Sequence, residues 1–385
     1  MATWVIVTGD FGLHGAQDQA NHALAAYLAG RGDTVHLVAH AVDDALRMSP
    51  RVRVHRVPRP LGSHLAGQPL LDLAGRKVAR EVLDFDPGAR VVVNGGNCDW
   101  PDVNWVHSVH HAWPCRDSGA PFAFRLKNRL AKSLARRSEA RVLKRAAIVF
   151  ANSARTRLDL MRHLGVDATR IRVQYLGCDP SRFHQVLPEE RRAARERLRL
   201  DDGVTAVLFI GSMGYDSNKG FDTLLSAWHL LSGSDGWNGL LLAAGGGAVR
   251  HWQRRLRASG LAETVRFLGF TTDVPELLAA ADVLVSPSRY EAYGLGVQEA
   301  LCRGVPAIVS STAGIAERYP GAMTALLLPD PENASDLAAR LLEWRANRGR
   351  FESLATGFGQ TLRSLTWCEM ASGMVRVIEE GERTP

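Results

Sequence analysis

Strand-like and helix-like segments alternate along the whole chain, and that alternation leaves few folds open. Short β-branched runs at 4–8, 34–38, 91–94, 103–107, 147–151 and 171–175 are separated by longer segments rich in Ala, Leu and Arg. The pattern restarts at 204–210 and continues through 240–244, 265–268, 283–286, 307–310 and 325–328. Apolar strands divided by helices specify parallel sheets covered on both faces. Two such series in 385 residues predict an α/β chain of two doubly wound, Rossmann-like domains. Gly177-Cys178-Asp179-Pro180 is strong turn punctuation near the midpoint and places the linker at about 176–186. Open parallel sheets bind ligands beyond the carboxyl ends of their strands, so two facing domains would enclose a cleft lined by strand-to-helix loops.

Apolar residues at 46% and charged residues at 23% exclude disorder and collagen-like repeats. The first ten residues carry no basic n-region, and no apolar stretch reaches the ~18–20 residues that span a bilayer. The expectation is a cytoplasmic chain without a transmembrane anchor. Five cysteines (Cys98, Cys115, Cys178, Cys302, Cys368) are scattered, with no paired metal spacing, and read as reduced thiols.

The net charge of +7 is uneven. Residues 125–145 hold nine cations against one acid, Glu139, so this segment alone carries +8 and the remainder −1. On a helical wheel Arg125, Arg129, Lys132 and Arg136 share one side, and Leu126, Leu130 and Leu134 another. Two readings stay open: a solvated basic face over a leucine core stripe, or a surface for anionic lipid or a lipid-linked acceptor at the inner face of a membrane. Nucleic acid is not expected, because no aromatic platform accompanies the charge.

Chemistry concentrates in a few loops. A strand ends at Ser286, the following loop carries Glu291, and a helix runs from near Gly294 to Arg303-Gly304. Amides of Tyr293, Gly294 and Leu295 at that helix start would form an anion site. Glu291 and Glu299, with seven residues between them, suit sugar hydroxyls better than an anion; the plainer alternative is a helix-start charge and a solvated helix residue. Residues 209–222 again read as strand, Gly-rich turn (Gly211, Ser212) and helix. Lys219 is the only Lys after residue 145 in a chain with 42 Arg and 5 Lys, which suggests a compact charge for a phosphate. After the first strand, Gly15 and Ala16 open a helix of small residues, a weak phosphate-loop signal. Gly245-Gly246-Gly247 reads as helix–strand packing. His107, His110 and His111 cluster at a strand end, but a zinc site would need Cys115 or Asp117 as third ligand, and no metal is expected. Asp84-Phe85-Asp86, before Pro87-Gly88, matches the Asp-x-Asp of metal-dependent transferases of another fold, yet reads better as a helix-ending turn.

The wording of 286–306 resembles the signature of the retaining glycosyltransferases of family 4, which have the GT-B fold: two Glu separated by seven residues, Tyr-Gly-Leu after the first, and Glu-Ala-Leu-x-x-Gly-x-Pro at the second. The resemblance covers most of the chain. It implies that Glu291 faces the donor sugar, that Glu299 binds the nucleotide ribose, and that Gly314-Ile-Ala-Glu317 is the family's Gly-x-x-Glu element. It puts Lys219 on the donor diphosphate, with Ser212 and Met213 where the family carries an Arg. Gly15 and Ala16 correspond to its Gly-Gly loop, the second Gly replaced by Ala. Ser108-Val109-His110 places His110 beside the donor sugar, with His107 and His111 as neighbours, and backbone at Gly269, Phe270 and Thr271 would read the base. The implied domains are 1–176 for the acceptor and 177–366 for the donor, with 367–385 as a helix crossing back. The implied activity moves a hexosyl group from UDP- or GDP-hexose to a hydroxyl acceptor with retention, in polysaccharide or glycolipid synthesis, using no cofactor beyond the nucleotide sugar. Two other readings use the same fold: a nucleotide-sugar epimerase, and a noncatalytic sugar-nucleotide or membrane-surface binding protein.

Overall fold

A computed structural model describes residues 1–114 and 119–381. Cys115 and Asp117, the third ligands considered for a metal, lie outside the described residues. The chain forms two compact units, described separately below.

The first unit contains residues 1–112 and 126–177 together with the chain from Thr366 onward. Its strands are β1 (Thr3–Val7), β2 (Asp10–Phe11), β3 (Thr34–Ala39), β4 (Ala41–Val42), β5 (Val52–Arg56), β6 (Arg90–Asn94), β7 (Val103–Val106), β8 (Ile148–Ala151) and β9 (Ile171–Val173). Seven of them form one parallel sheet in the order β5-β3-β1-β6-β7-β8-β9, while β2 and β4 pair separately. Helices α1 (Ala16–Gly30), α2 (Asp44–Arg47), α3 (His64–Phe85), α4 (Phe122–Leu143) and α5 (Ala154–Leu164) connect the strands. The final helix, Trp367–Glu380, packs on α1, where Arg31 reaches Glu379 at 2.7 Å. Val5, Val7, Val91 and Val93 of the central strands are buried against Leu71, Val78 and Ala79 of α3, and the alternate residues Trp4, Ile6 and Val92 are buried as well, which is why both faces of each strand read as apolar.

The second unit spans 178–365 with a short segment ending at Arg125. Strands β10 (Thr205–Ile210), β11 (Gly239–Ala244), β12 (Val265–Gly269), β13 (Val283–Ser286), β14 (Ala307–Ser310) and β15 (Leu327–Leu328) form a parallel sheet ordered β12-β11-β10-β13-β14-β15. Around it lie α6 (Pro188–Arg197), α7 (Phe221–Ser232), α8 (Val249–Ala258), α9 (Val274–Ala280), α10 (Leu295–Cys302), α11 (Ala334–Ala346) and α12 (Arg348–Arg363). The start of β13 is anchored by the fully buried Asp282, which accepts from the Ala206 amide at 2.7 Å and pairs with Arg191 and Arg348. A buried carboxylate needs such partners to remain ionised inside the fold.

Both sheets have the doubly wound order, with the order of strand addition reversing beside the first strand. The reversal falls between β1 and β6 in the first unit and between β10 and β13 in the second. Loops leaving those neighbouring strands diverge to opposite faces and open a crevice at the carboxyl ends. These are the loops beginning at Gly9 and Gly95, and at Gly211 and Pro287.

The sequence pattern misses β5, whose Val-Arg-Val-His-Arg at the sheet edge is only partly buried and carries no apolar run. It also lengthens β15, because residues Gly321–Leu326 coil as a 3-10 turn before the strand begins. Asp84 and Asp86 sit at the end of α3, where Asp86 accepts from the Gly88 amide at 3.2 Å.

Candidate active site

Lys219 and Glu291 meet at the switch point of the second sheet, Nζ to Oε2 at 2.5 Å. They lie on different loops, 72 residues apart, and several bonds hold those loops together. Asn218 donates to the Tyr290 carbonyl at 3.0 Å and accepts from the Arg289 amide at 2.8 Å. Arg289 forks onto Asp222 with two bonds of 2.8 Å, donates to the Ser217 carbonyl, and lies 3.2 Å from Glu332. Bidentate Arg–carboxylate geometry fixes orientation as well as distance. Gly220, at φ +70°, lies so close that a Cβ would stand 1.9 Å from the Pro287 carbonyl oxygen. Only glycine allows this approach.

Beyond Glu291 the chain turns into α10. Gly294 caps the helix, whose first amides point out of the helix N-terminus towards any anion placed there. The Gly314–Arg318 turn braces this loop: its Gly314 amide donates to the Glu291 carbonyl at 3.1 Å, and Ile315 to that of Tyr293 at 2.7 Å. Tyr293 itself is buried, its hydroxyl bonded to Gln298 and to Arg318, so position 293 offers a ligand backbone rather than a side chain. Leu295 is buried as well. Glu299, one turn into α10, is buried, and burial raises its pKa from 4.5 to about 8, with Arg182 opposing the shift.

Gly211 and the exposed Ser212 follow β10. Met213, at a position that the resemblance matches to an Arg, is buried and locked by backbone: its amide donates to Gly246 at 2.8 Å, and its carbonyl accepts from Ala248 and from the Trp252 indole, both at 2.9 Å. Gly245-Gly246-Gly247 serves this loop rather than helix–strand packing, a correction to the expectation from sequence. A Cβ at Gly245 would fall 2.0 Å from the Gly211 carbonyl oxygen, and one at Gly247 would fall 2.6 Å from the Met213 backbone. The Gly245 amide in turn donates to Gly269 at 2.8 Å, which fixes the edge where exposed Phe270 and half-buried Thr271 lie.

The first unit has its own cavity of about 250 Å³ at its switch point, lined among others by Asp10, Asp18, His64, His107, His110 and Glu139. Gly15 caps α1 and Ala16 begins it, two residues before Asp18. Burial and the neighbouring Asp10 raise the Asp18 pKa to about 6. The histidines separate in role. The His107 ring lies on Trp105, centroids 4.6 Å apart, its nitrogens buried without partners among the described residues, and burial lowers its pKa to about 3. A ring held neutral in this way is a packing group. His110 is bound through Nδ1 to Glu139, and His111 lies 3.4 Å from the same carboxylate.

Helix α4 contradicts the cationic face drawn from the wheel. Lys132 is buried at 8% exposure, Arg136 turns inward to the His110 carbonyl at 3.0 Å, and Arg125 is half-buried, leaving Arg129 as the exposed member of the four. The leucines instead face outward, with Leu126, Leu130 and Leu134 exposed at 60, 53 and 43%. The wheel separates two faces but does not say which one the fold covers. Along the middle of the helix the inward neighbours include polar backbone, as in Ser138 donating to the Gly96 carbonyl at 2.6 Å, and only the last turn, with Val142 and Leu143, buries apolar side chains. Among the described residues no helix is long and apolar enough to cross a membrane.

Sequence reasoning missed Asn218, Arg289 and Glu139. The first two sit inside the flagged segments, and only the packing reveals their bonds. Glu139 had one signal, its being the lone acid in a basic run.

Residues 205–347 match the family described as Glycosyl transferases group 1, and residues 19–182 match Glycosyltransferase Family 4. Mannosylfructose-phosphate synthase of Agrobacterium fabrum is 27% identical over 57% of this chain, which spans about half (50%) of that relative's length. A D-inositol 3-phosphate glycosyltransferase of Geodermatophilus obscurus is 28% identical over 90% of this chain and 81% of its own. The crystal structure of WaaG, a glycosyltransferase involved in lipopolysaccharide biosynthesis, superposes with a TM-score of 0.73 at 20% identity, covering 98% of this chain and 99% of that one, and so shares the fold.

The raised pKa of Glu299 has a measurable sign. The folded chain keeps this proton between pH 4.5 and about 8, where the unfolded chain has lost it, so the group costs stability as pH rises through that window. Glu299→Gln removes the cost. In urea unfolding the variant gains on the wild type from pH 5 to pH 8, and a difference independent of pH would show that Glu299 is not held protonated.

Proposed function

Because this chain belongs to the family-4 glycosyltransferases of group 1, we propose that it moves a hexosyl group from UDP- or GDP-hexose to a hydroxyl acceptor, with retention and without a divalent metal. The observation that carries this reading is the Lys219–Glu291 contact at the switch point of the second sheet, 2.5 Å long and braced by two loops. Departure of the nucleotide diphosphate builds negative charge on phosphate oxygens and positive charge on the anomeric carbon. The Lys219 ammonium and the amides of 293–295 stabilise the first. The Glu291 carboxylate orients the sugar beside the second and keeps Lys219 from folding away. Glu299, protonated and buried, can both donate to and accept from ribose hydroxyls. Backbone at 269–271 reads the base, and the family resemblance assigns His110 to the donor sugar. The leaving phosphate takes the acceptor's proton on the same face, so no carboxylate nucleophile is needed.

Polysaccharide or glycolipid synthesis is the setting we propose, with a glycan or lipid-linked glycan as acceptor. Peripheral contact with an anionic membrane then falls to α4, through its outward leucines and the exposed cations beside them, Lys127, Arg129, Arg137 and Arg141. One observation favours the noncatalytic alternative: buried Met213 supplies no cation where the family carries one. Release of nucleotide in the presence of acceptor separates the readings, since an epimerase converts donor without releasing nucleotide and a binding protein converts nothing.

Glu291→Ala is expected to lower transfer by about 10²–10³-fold with little change in melting temperature; a large drop in melting temperature would make Glu291 a structural residue. Lys219→Ala weakens donor binding by about 10- to 100-fold, the worth of a charge-assisted hydrogen bond, and an unaltered affinity would sink the phosphate assignment. Replacing Leu126, Leu130 and Leu134 together by Ser abolishes co-flotation with phosphatidylglycerol vesicles, and undiminished flotation would remove α4 from the membrane reading.

A further inference from the structure

Glu139 is the one acid among nine cations at 125–145, and α4 buries it to 2% exposure. A carboxylate leaves water only where other donors replace the water. Here the donors come from two adjacent residues. Both oxygens accept from the His110 amide, at 3.1 and 3.0 Å. Oε1 also meets Nδ1 of the His110 ring, and Oε2 lies 3.4 Å from Nδ1 of His111. Arg136, three residues earlier on the same helix face, donates from Nε to the His110 carbonyl at 3.0 Å. One helical turn therefore grips His110 at its amide, its carbonyl and one ring nitrogen. The ring remains a third exposed and lines the cavity of the first unit.

An ionised carboxylate has no proton to give, so the nitrogen facing it must be the donor. A neutral imidazole has a single N–H, and its other nitrogen carries a lone pair. We infer that Glu139 is a positioning residue: it holds the His110 ring as the Nδ1–H tautomer, so that Nε2 is the nitrogen able to accept a hydrogen bond. A sugar hydroxyl is a donor that such a nitrogen fits. The grip on the backbone fixes the ring's place, and the ring bond fixes its polarity, so both are set before a ligand arrives. The consequence for turnover rests on the reading of His110 beside the donor sugar, whereas the tautomer does not.

The test is nitrogen NMR of protein labelled at histidine, with the His110 signal assigned by its loss in His110→Ala and read on the neutral ring at the alkaline end of a titration. The expected wild-type result is a protonated Nδ1 and a bare Nε2; a proton on Nε2 would overturn the inference. Glu139→Leu should release the ring to the Nε2–H form that free imidazole side chains prefer in water. It should also lower kcat by about 10- to 100-fold, the scale of an orienting partner's loss, with donor KM nearly unchanged. Glu139→Gln keeps one accepting oxygen and should restore part of kcat. An unchanged tautomer and kcat in Glu139→Leu would overturn the positioning role, and if that variant fails to fold, the wild-type spectrum still decides. Unchanged transfer by His110→Ala would overturn the consequence for turnover, and with it the placing of His110 at the donor, while leaving the tautomer assignment standing.

Discussion

Arg289 and Asn218 join the loop after β10 to the loop after β13, and the candidate site of the second unit depends on that junction. Without it Lys219 and Glu291 would be a cation and an anion on separate loops, each free to turn to solvent. With it, the Asn218 carbonyl accepts from the Arg289 amide and its side chain donates to the Tyr290 carbonyl, Asp222 receives the guanidinium fork, and Gly220 slides under Pro287. Holding two opposite charges 2.5 Å apart and partly exposed contributes little to folding. Its worth is geometric, because a ligand entering the crevice would find both charges already placed.

The same economy runs through the first unit. The strand order puts Gly9 and Gly95 at diverging loops, and the cavity between them is closed by α4 from the side. Along its middle that helix turns polar residues inward onto loop backbone and histidine, while Leu143 in its last turn packs on the apolar residues Val106, Val149 and Ala151. Glu139 satisfies His110, Ser138 satisfies Gly96, and Leu126, Leu130 and Leu134 are left outside.

Much of the fold was legible because its signals are local. Valine runs such as 91–93 announce buried parallel strands, and Gly294 and Gly304 bracket α10 within one sequence window. Glu291, Glu299 and Lys219 could be singled out for the same reason, as their motifs are contiguous. What escaped is relational. No window contains both His110 and Glu139, 29 residues apart, or both Asn218 and Tyr290. The direction in which α4 faces depends on what lies beneath it, and the purpose of Gly245 and Gly247 depends on a loop more than thirty residues earlier. Strand β5 escaped for another reason: an edge strand with charged alternate positions gives no apolar run to detect.

The proposed activity requires that the second unit's crevice hold a nucleotide diphosphate sugar. A thermal-shift panel of UDP, GDP, ADP and their hexose conjugates, run without added metal, addresses this because a ligand that binds only the folded chain raises its melting temperature by mass action. One nucleotide and its sugar conjugate should stand clear of the others. A panel that stays flat, and stays flat with magnesium, would contradict the donor site and leave the Lys219–Glu291 pair as a structural contact.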